Sequence, residues 1–273
     1  MYILILFLLL LLYAYLHVRR RVPILMYHRI ATIPGDRNAL PLEKFTAQMA
    51  YLKRKGFHTI TMDVLEDYYL HHTPLPKKPL ILTFDDAYTD TYTTALPVLK
   101  EYGHVGNVFS ICNWQGTDNT WEHFGKERTT TMTASELLLW EKAGNYAGPH
   151  TMDHPFLTKC NDQRLMEELE GSRLAMEALT GSPKTCICYP YGDLDRRVTA
   201  AAKRAGYRLG LGIFYNLPLW TEDRLALPRV PIPARQPMWE YKLKVSSIHL
   251  LFIALRQWER KIKKFCGHKK SAL

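Results

Sequence analysis

Apolar runs alternate with helical patterns along the middle of the chain, and this alternation predicts the fold. The apolar runs predict strands at 23–28, 79–84, 105–111, 145–150, 185–189 and 207–213. Positions with a period near 3.6 residues predict helices at about 43–55, 91–102, 133–142, 161–180 and 193–205. Strands that alternate with helices form a parallel sheet with the helices outside it. We therefore predict one α/β domain over residues 22–240.

The N-terminal segment has a different pattern from the rest of the chain. Residues 2–18 contain no Asp, Glu, Lys or Arg and are almost entirely apolar. Arg19-Arg20-Arg21 follows directly, without the small-residue cleavage site of a signal peptide. We predict a transmembrane anchor over residues 1–21, although the run is short for a full span. A buried core helix is the alternative, but a segment that is apolar on all faces argues against it.

The flanking charges predict which side of the membrane the domain faces. Lys and Arg flank only the C-terminal end of the apolar run, so the positive-inside rule favours a cytoplasmic domain. Five cysteines, an odd number, also fit a reducing compartment. Cys186 and Cys188 alternate within a predicted strand, where we expect them to be buried. A periplasmic or extracellular domain is the alternative.

The net charge of +10 is concentrated at the C-terminal end. Nine of the 36 Lys and Arg residues lie in residues 241–273, where apolar positions from Ile248 to Phe265 recur at helical spacing. An amphipathic helix with a basic side suits an anionic membrane surface, and a terminal helix packed on the domain is the alternative. Because no nucleic-acid-binding module accompanies the basic residues, we predict no nucleic-acid partner.

Two short clusters contain the candidate chemistry. Thr83-Phe84-Asp85-Asp86 places two adjacent carboxylates at the end of one predicted strand, and His150-Thr151-Met152-Asp153-His154 places two imidazoles at the end of another. One carboxylate and two imidazoles form a catalytic metal site with open positions. The other carboxylate is then free to act as a base on water at the metal. Tyr189-Pro190-Tyr191-Gly192 ends a third strand, and the carboxyl ends of parallel strands converge on one face.

Taken in order, these motifs resemble the NodB-type polysaccharide deacetylases (carbohydrate esterase family 4), in a branch with a Tyr-Pro-Tyr-Gly motif. Tyr88, Asp90 and Tyr92 after Thr-Phe-Asp-Asp extend the resemblance, and the opening at 25–30 is similar to the first strand of one branch. The resemblance covers about residues 23–233. It implies a distorted (β/α)7-type barrel. It also implies removal of an N-acetyl or similar acyl group from an amino sugar.

The resemblance implies a role for each matching residue. The residues that match the family's metal triad, most often a zinc site, are Asp86, His150 and His154. Asp85 matches the general base. The backbone N–H of Tyr191 would help to hold the oxyanion that acyl transfer forms. Tyr191, Trp114 and Trp121 are candidates to stack on the sugar.

Two positions depart from the pattern of that family. Many members have an Arg two residues before the Pro, where it tethers the catalytic Asp, but this chain has Cys188 there. Arg229 is the candidate to supply the tether from another strand, and a purely structural ion pair is the alternative. The family's late motif supplies a His as general acid, but after residue 154 the only histidines lie in the basic tail. His28, at the end of the first predicted strand, is the candidate acid.

The sequence therefore predicts a membrane-anchored, metal-dependent N-deacylase. A cytoplasmic domain would act on a glycolipid or a lipid-linked saccharide, whereas an external domain would act on N-acetylglucosamine units of a polysaccharide. A catalytically impaired glycan-binding protein of the same fold is the alternative, because the late His is missing. A different metal-dependent amidohydrolase would need further metal ligands, which the sequence does not offer.

Overall fold

Parallel strands form the centre of the structure, a computed structural model that describes residues 22–120, 128–215, 217, 223–246, 257 and 259. The strands are β1 (Ile24–Tyr27), β2 (His58–Thr59), β3 (Pro79–Phe84), β4 (Asn107–Ser110), β5 (Tyr146–Pro149), β6 (Cys186–Cys188), β7 (Leu209–Ile213) and β8 (Leu227–Pro231). Seven of them follow the order β5-β4-β3-β1-β8-β7-β6, and β2 pairs with β3. Every pair is parallel.

The two strands at the ends of this order approach each other at the site. The ring of His150, directly after β5, lies 2.7 Å from the carbonyl oxygen of Cys188 in β6. The sheet therefore curves round until its two edges nearly meet. This curvature confirms the predicted barrel-like parallel α/β fold.

Helices cover the outside of the strands. They are α1 (Leu42–Arg54), α2 (Met62–His71), α3 (Leu96–Tyr102), α4 (Ala134–Lys142), α5 (Asp162–Thr180), α6 (Arg196–Arg204) and α7 (Met238–Lys244), with a π-helical turn at Thr91–Ala95 that leads into α3. Short 3-10 turns lie at Cys112–Trp114, Leu157–Lys159, Pro190–Gly192 and Arg224–Ala226. Thr133 and Glu136 form a capping box at the start of α4, which satisfies two backbone N–H groups.

Aromatic packing fixes the strand that leads to the paired carboxylates. The ring of Phe84 stacks on Tyr27 at 5.4 Å, and it meets Phe45 and Trp140 edge to face, each at 6.0 Å. All four rings are buried in the largest core cluster, and such pairs contribute beyond their buried area. The end of β3 is therefore rigid immediately before Asp85.

The predicted elements match the structure within three residues at their ends, but four elements were missed. The missed elements are β2, β8, α2 and α7. The sequence of β8 contains Pro228 and Pro231, which cannot donate to a ladder, and this hid a strand that pairs on both sides. Tyr241 and Val245 are buried in the main core cluster, so the core extends past the predicted boundary at residue 240.

Several predictions about the chain ends fall outside what the structure describes. The predicted anchor at residues 1–21 and most of the predicted tail at residues 241–273 are not among the described residues. Within the described ranges, no helix is both long enough and apolar enough to span a membrane. Cys186 and Cys188 are both buried, as expected for alternate positions of a strand.

Candidate active site

The carboxyl ends of three strands bring the two predicted clusters together. Asp85 and Asp86 follow β3, His150 follows β5, and all three side chains are buried. Tyr189 follows β6 and leads into the turn that contains Tyr191. Because these strands are parallel, their ends lie at one end of the barrel. Segments far apart in the sequence therefore meet in one site.

Three side chains have the geometry of a metal site. The Oδ1 atom of Asp86 lies 3.5 Å from the Nε2 atoms of both His150 and His154. All three donor atoms lie within 4.8 Å of one another. Ligands of a tetrahedral zinc ion are about 3.4 Å apart when each bond is about 2.1 Å long. The donor set and its spacing therefore fit a divalent ion such as zinc.

A backbone contact prepares His150 to act as a ligand. Its Nδ1 atom lies 2.7 Å from the carbonyl oxygen of Cys188, and a carbonyl can only accept, so Nδ1 carries the proton. The lone pair of Nε2 then points towards Asp86. Burial lowers the pKa of His150 to about 4, so the ring is neutral at physiological pH. A neutral imidazole with this tautomer is the form that binds a metal ion.

A buried glutamate on α5 fixes the loop between the two histidines. The Oε2 atom of Glu168 accepts hydrogen bonds from the backbone N–H groups of Met152 and Asp153, at 2.8 and 3.0 Å. Its Oε1 atom lies 2.6 Å from the guanidinium of Arg164. Burial raises the pKa of Glu168, and the N–H of Asp153 and the charge of Arg164 oppose that rise. The sequence analysis did not identify this residue.

Asp85 does not share the metal site but pairs with Arg229. The Nη1 and Nη2 atoms of Arg229 donate to the two carboxylate oxygens at 2.5 and 2.8 Å. Further donors of Arg229 reach the hydroxyl of Thr83 and the carbonyl of Gly212. Burial alone would raise the pKa of Asp85, but the charge and hydrogen bonds of Arg229 outweigh it and hold the pKa well below its usual range. Asp85 is therefore an oriented, ionised carboxylate.

A thiol also contacts this carboxylate. The Sγ atom of Cys188 lies 3.5 Å from Oδ1 of Asp85, at the position where the sequence resemblance led us to expect an Arg. Asp85, His150 and Cys188 form a second group whose atoms are close enough to bind a metal. Both oxygens of Asp85 already accept from Arg229, however, so the group that contains Asp86 is the better metal site.

Unfavourable backbone conformations are concentrated in the same motifs. Among the described residues, seven residues other than glycine have a positive φ. The five that lie in the site motifs are Asp86, Ala87, Thr151, His154 and Tyr191. Each left-handed residue costs on the order of 1 kcal/mol, and such strain persists where the surroundings over-determine it. The clustering is typical of a functional site.

His28 and Tyr191 line the same cavity beside the site, which has a volume of about 470 Å³. One face of Tyr191 stacks on Phe156, with ring centroids 4.1 Å apart, so only the remaining surface of Tyr191 can contact a ligand. Trp114 packs against Tyr88 and Ile111 and does not line this cavity. Trp121 is outside the described residues.

An ion pair holds the segment that contains His28. Asp90 accepts a hydrogen bond from the N–H of Ile30 at 2.9 Å and pairs with Arg29 at 3.0 Å. His28 precedes these two residues, so Asp90 joins the end of β1 to the segment that follows Asp85 and Asp86. Asp90 belongs to the motif quoted from the sequence, but its structural role needed the fold.

Comparisons with known proteins show what this chain is similar to. A family model described as polysaccharide deacetylase matches residues 72–210. YxkH of Bacillus subtilis, whose assignment as a polysaccharide deacetylase is itself provisional, is 30% identical over 191 residues, which cover 70% of this chain and 64% of YxkH. The poly-beta-1,6-N-acetyl-D-glucosamine N-deacetylase of Staphylococcus aureus strain MRSA252 is 25% identical over 200 residues, which cover 69% of this chain and 66% of that enzyme.

A solved structure shares the fold. The deacetylase PplD of Streptococcus pyogenes has a TM-score of 0.70 and 21% sequence identity, and the match covers 82% of this chain and 98% of PplD. The matches to the two curated relatives, in contrast, span slightly less than two thirds of each relative's length.

Proposed function

The chain belongs to the polysaccharide deacetylase family, and on that basis we propose that it is a metal-dependent hydrolase that removes an N-acetyl or similar acyl group from an amino sugar. The observation that supports this proposal is the arrangement of two carboxylates. Asp86 faces two imidazoles at 3.5 Å, while its neighbour Asp85 is held apart by Arg229. One site therefore offers a metal triad and a separate base.

Asp86, His150 and His154 would hold the ion, for which zinc fits the donor set. A bound ion would polarise the amide carbonyl and lower the pKa of a water molecule, which makes hydrolysis possible near neutral pH. The tautomer of His150 is fixed by Cys188. Glu168 holds the loop between the histidines, so this chain supplies both the ligands and their support.

Asp85 would act as the general base on the attacking water. Its ionised state is secured by Arg229, which also fixes the direction of both oxygens. A base has to be unprotonated and within reach of the proton that it accepts. In this proposal Arg229 orients the carboxylate of Asp85 and keeps it ionised, while Asp85 accepts the proton.

His28 would donate a proton to the amine as it leaves. It is the histidine at the end of β1, and it lines the cavity together with Tyr191. This position supports His28 as a candidate acid in place of the missing late His, whose absence motivates the alternative of a catalytically impaired glycan-binding protein. The backbone N–H of Tyr191 would contribute to the oxyanion site, since developing negative charge on a carbonyl oxygen requires nearby donors.

The substrate is an amino sugar within a larger glycan. A polymer of N-acetylglucosamine is one candidate, in keeping with the name of the Staphylococcus aureus relative. A lipid-linked saccharide at the cytoplasmic face is the other, if residues 1–21 anchor the domain there as the sequence predicts. A topology reporter fused after residue 273 would show on which side of the membrane the domain lies, and therefore which of these two substrates it can reach.

The test of this proposal separates metal binding from catalysis. Acetate release from N-acetylchitooligosaccharides would be compared between the native protein and Asp85→Asn, with the zinc content of both measured. We expect Asp85→Asn to keep its zinc and to lose at least 100-fold in kcat, because the isosteric amide cannot accept the proton. Equal release by both proteins would refute the role of Asp85. Zinc binding without release by the native protein would favour the glycan-binding alternative.

A further inference from the structure

An arginine on the wall of the cavity has no role in the proposed reaction. Arg37 lies in the loop between β1 and α1, and it lines the cavity that is also lined by His28 and Tyr191. Among the described residues that line this cavity, Arg37 is the one with a permanent charge, and none is a carboxylate. The chemistry of the site described above uses His28 and Tyr191 but leaves this guanidinium without a function.

Arg37 differs from the other arginines near this end of the barrel. Arg229 is neutralised by Asp85, and Arg29 is neutralised by Asp90. In the described part of the chain, no carboxylate lies within ion-pair distance of the Arg37 guanidinium. The nearest acid in sequence, Asp36, accepts a hydrogen bond from the backbone N–H of Asn38 at 2.8 Å. No carboxylate among the described residues therefore offsets the positive charge of Arg37, which lines the cavity.

The loop that presents Arg37 is fixed to both neighbouring walls of the cavity. The carbonyl of Arg37 accepts a hydrogen bond from the N–H of Ala234 at 2.8 Å, in the segment after β8. On the other side, the carbonyl of Asn38 accepts from the N–H of Arg29, directly after β1. Lys44 donates to the carbonyl of Ala234 and adds a second positive charge near this wall. The backbone of Arg37 is thus held in place before any ligand binds.

We propose that Arg37 forms an anion subsite, so that the preferred substrate is an N-acyl amino sugar that bears, or is joined to, a phosphate or carboxylate group. This inference rests on the proposed function and narrows its substrate class. A guanidinium binds both groups through paired N–H donors, which makes either one a suitable partner. A cavity of about 470 Å³ is large enough for one sugar and its charged neighbour. The same charge would disfavour an already deacylated neighbour, which carries an ammonium group.

Matched substrates can test this selectivity. The neutral probe is N,N′-diacetylchitobiose, and the two anionic probes are its 1-phosphate and a disaccharide of N-acetylglucosamine with glucuronic acid. At low salt we expect kcat/KM to be at least about fivefold higher for one or both anionic probes than for the neutral probe, mainly through a lower KM. The factor is small because the free energy of a charged contact that is open to water is modest. The anionic probe with the larger increase in kcat/KM shows whether the subsite prefers a phosphate or a carboxylate. The preference should shrink in 0.5 M salt, where charges are screened within about 4 Å.

The variants Arg37→Ala and Arg235→Ala separate a local subsite from general charge. Arg235 is exposed and does not line the cavity, so its variant controls for the loss of one positive charge. We expect the ratio of anionic to neutral kcat/KM to fall to about one in Arg37→Ala and to keep its native value in Arg235→Ala. An unchanged ratio in Arg37→Ala, or no preference in the native protein, would overturn the proposal.

A binding measurement keeps this test independent of turnover. Calorimetry would compare the affinity of the native protein and of Arg37→Ala for N,N′-diacetylchitobiose 1-phosphate and for N,N′-diacetylchitobiose. If no probe releases acetate, the proposed function fails, but tighter binding of the phosphate that depends on Arg37 still supports the subsite. Equal affinities for the two sugars in the native protein would refute it.

Discussion

Replacing Arg229 by Met would remove the partner of a buried carboxylate. Arg229 is fully buried, and two of its N–H groups reach the two oxygens of Asp85 at 2.5 and 2.8 Å. Removing one member of such a pair leaves an uncompensated buried charge and costs about 3–5 kcal/mol in the free energy of unfolding. The pKa of Asp85 should rise above its ordinary value of about 3.9, because burial is then opposed only by the smaller effects of His150 and His28.

The pH dependence of the rate reports this change directly. In the native protein the pKa of Asp85 lies well below its usual range, so this carboxylate, the proposed base, stays ionised from pH 5 to pH 8. In Arg229→Met we expect the base to become protonated as the pH falls. The acid limb of the kcat/KM profile should therefore move up by about 2 pH units or more, with a lower rate at pH 7. Urea denaturation at pH 7 measures the accompanying loss of stability.

Arg29→Met is the matched control for this experiment. It breaks the partly buried pair with Asp90 at 3.0 Å, which does not include the base. We expect it to lower the free energy of unfolding without moving the acid limb. Arg229→Lys keeps the charge but loses the paired donors, so its acid limb should lie between those of the native protein and Arg229→Met. A native pH profile and native stability in Arg229→Met would refute the reasoning.

Three further predictions concern the metal site and the backbone. The pKa of His150 is about 4 in the folded protein and about 6.5 in the unfolded chain. As the pH falls from 6.5 to 4, the unfolded chain binds the proton first, so the metal-free protein loses stability over this range. Denaturation should show that this loss, about 2 kcal/mol at pH 5, is absent in His150→Asn. Glu168→Ala should weaken zinc binding about 10- to 100-fold by calorimetry, and Glu168→Gln less, because the amide oxygen still accepts. His72 directly follows α2 and has φ of 56°, so His72→Gly should stabilise the protein by about 1 kcal/mol, whereas His71→Gly at the last position of α2 should destabilise it.

The sequence predicted those parts of the site that depend on local pattern. Asp86 and His150 lie at the ends of apolar runs, His154 comes four residues after His150, and parallel strands bring such positions to one end of a barrel. Arg229 was identified as a candidate because the expected Arg is replaced by Cys188, and the structure brings its guanidinium to Asp85.

The parts that the sequence did not reveal depend on distant segments. Glu168 lies in the middle of α5, where an acidic residue normally faces solvent. Only the packing of α5 places it beneath the loop between His150 and His154. Phe156 and Arg37 lie in loops that have no periodic pattern. Arg229 was expected on another strand, but the prolines of β8 kept the bounds of that strand from being predicted. Contacts across the fold, rather than local propensity, determine each of these features.

The central claim is that one divalent ion, held by Asp86, His150 and His154, is required for deacylation. The most direct measurement is acetate release from N-acetylchitooligosaccharides by metal-free protein as zinc is added in steps. We predict that the rate rises linearly to one zinc per chain and then levels off, and that His154→Ala removes this response. Full activity in the metal-free protein, or an unchanged zinc response in His154→Ala, would contradict the account.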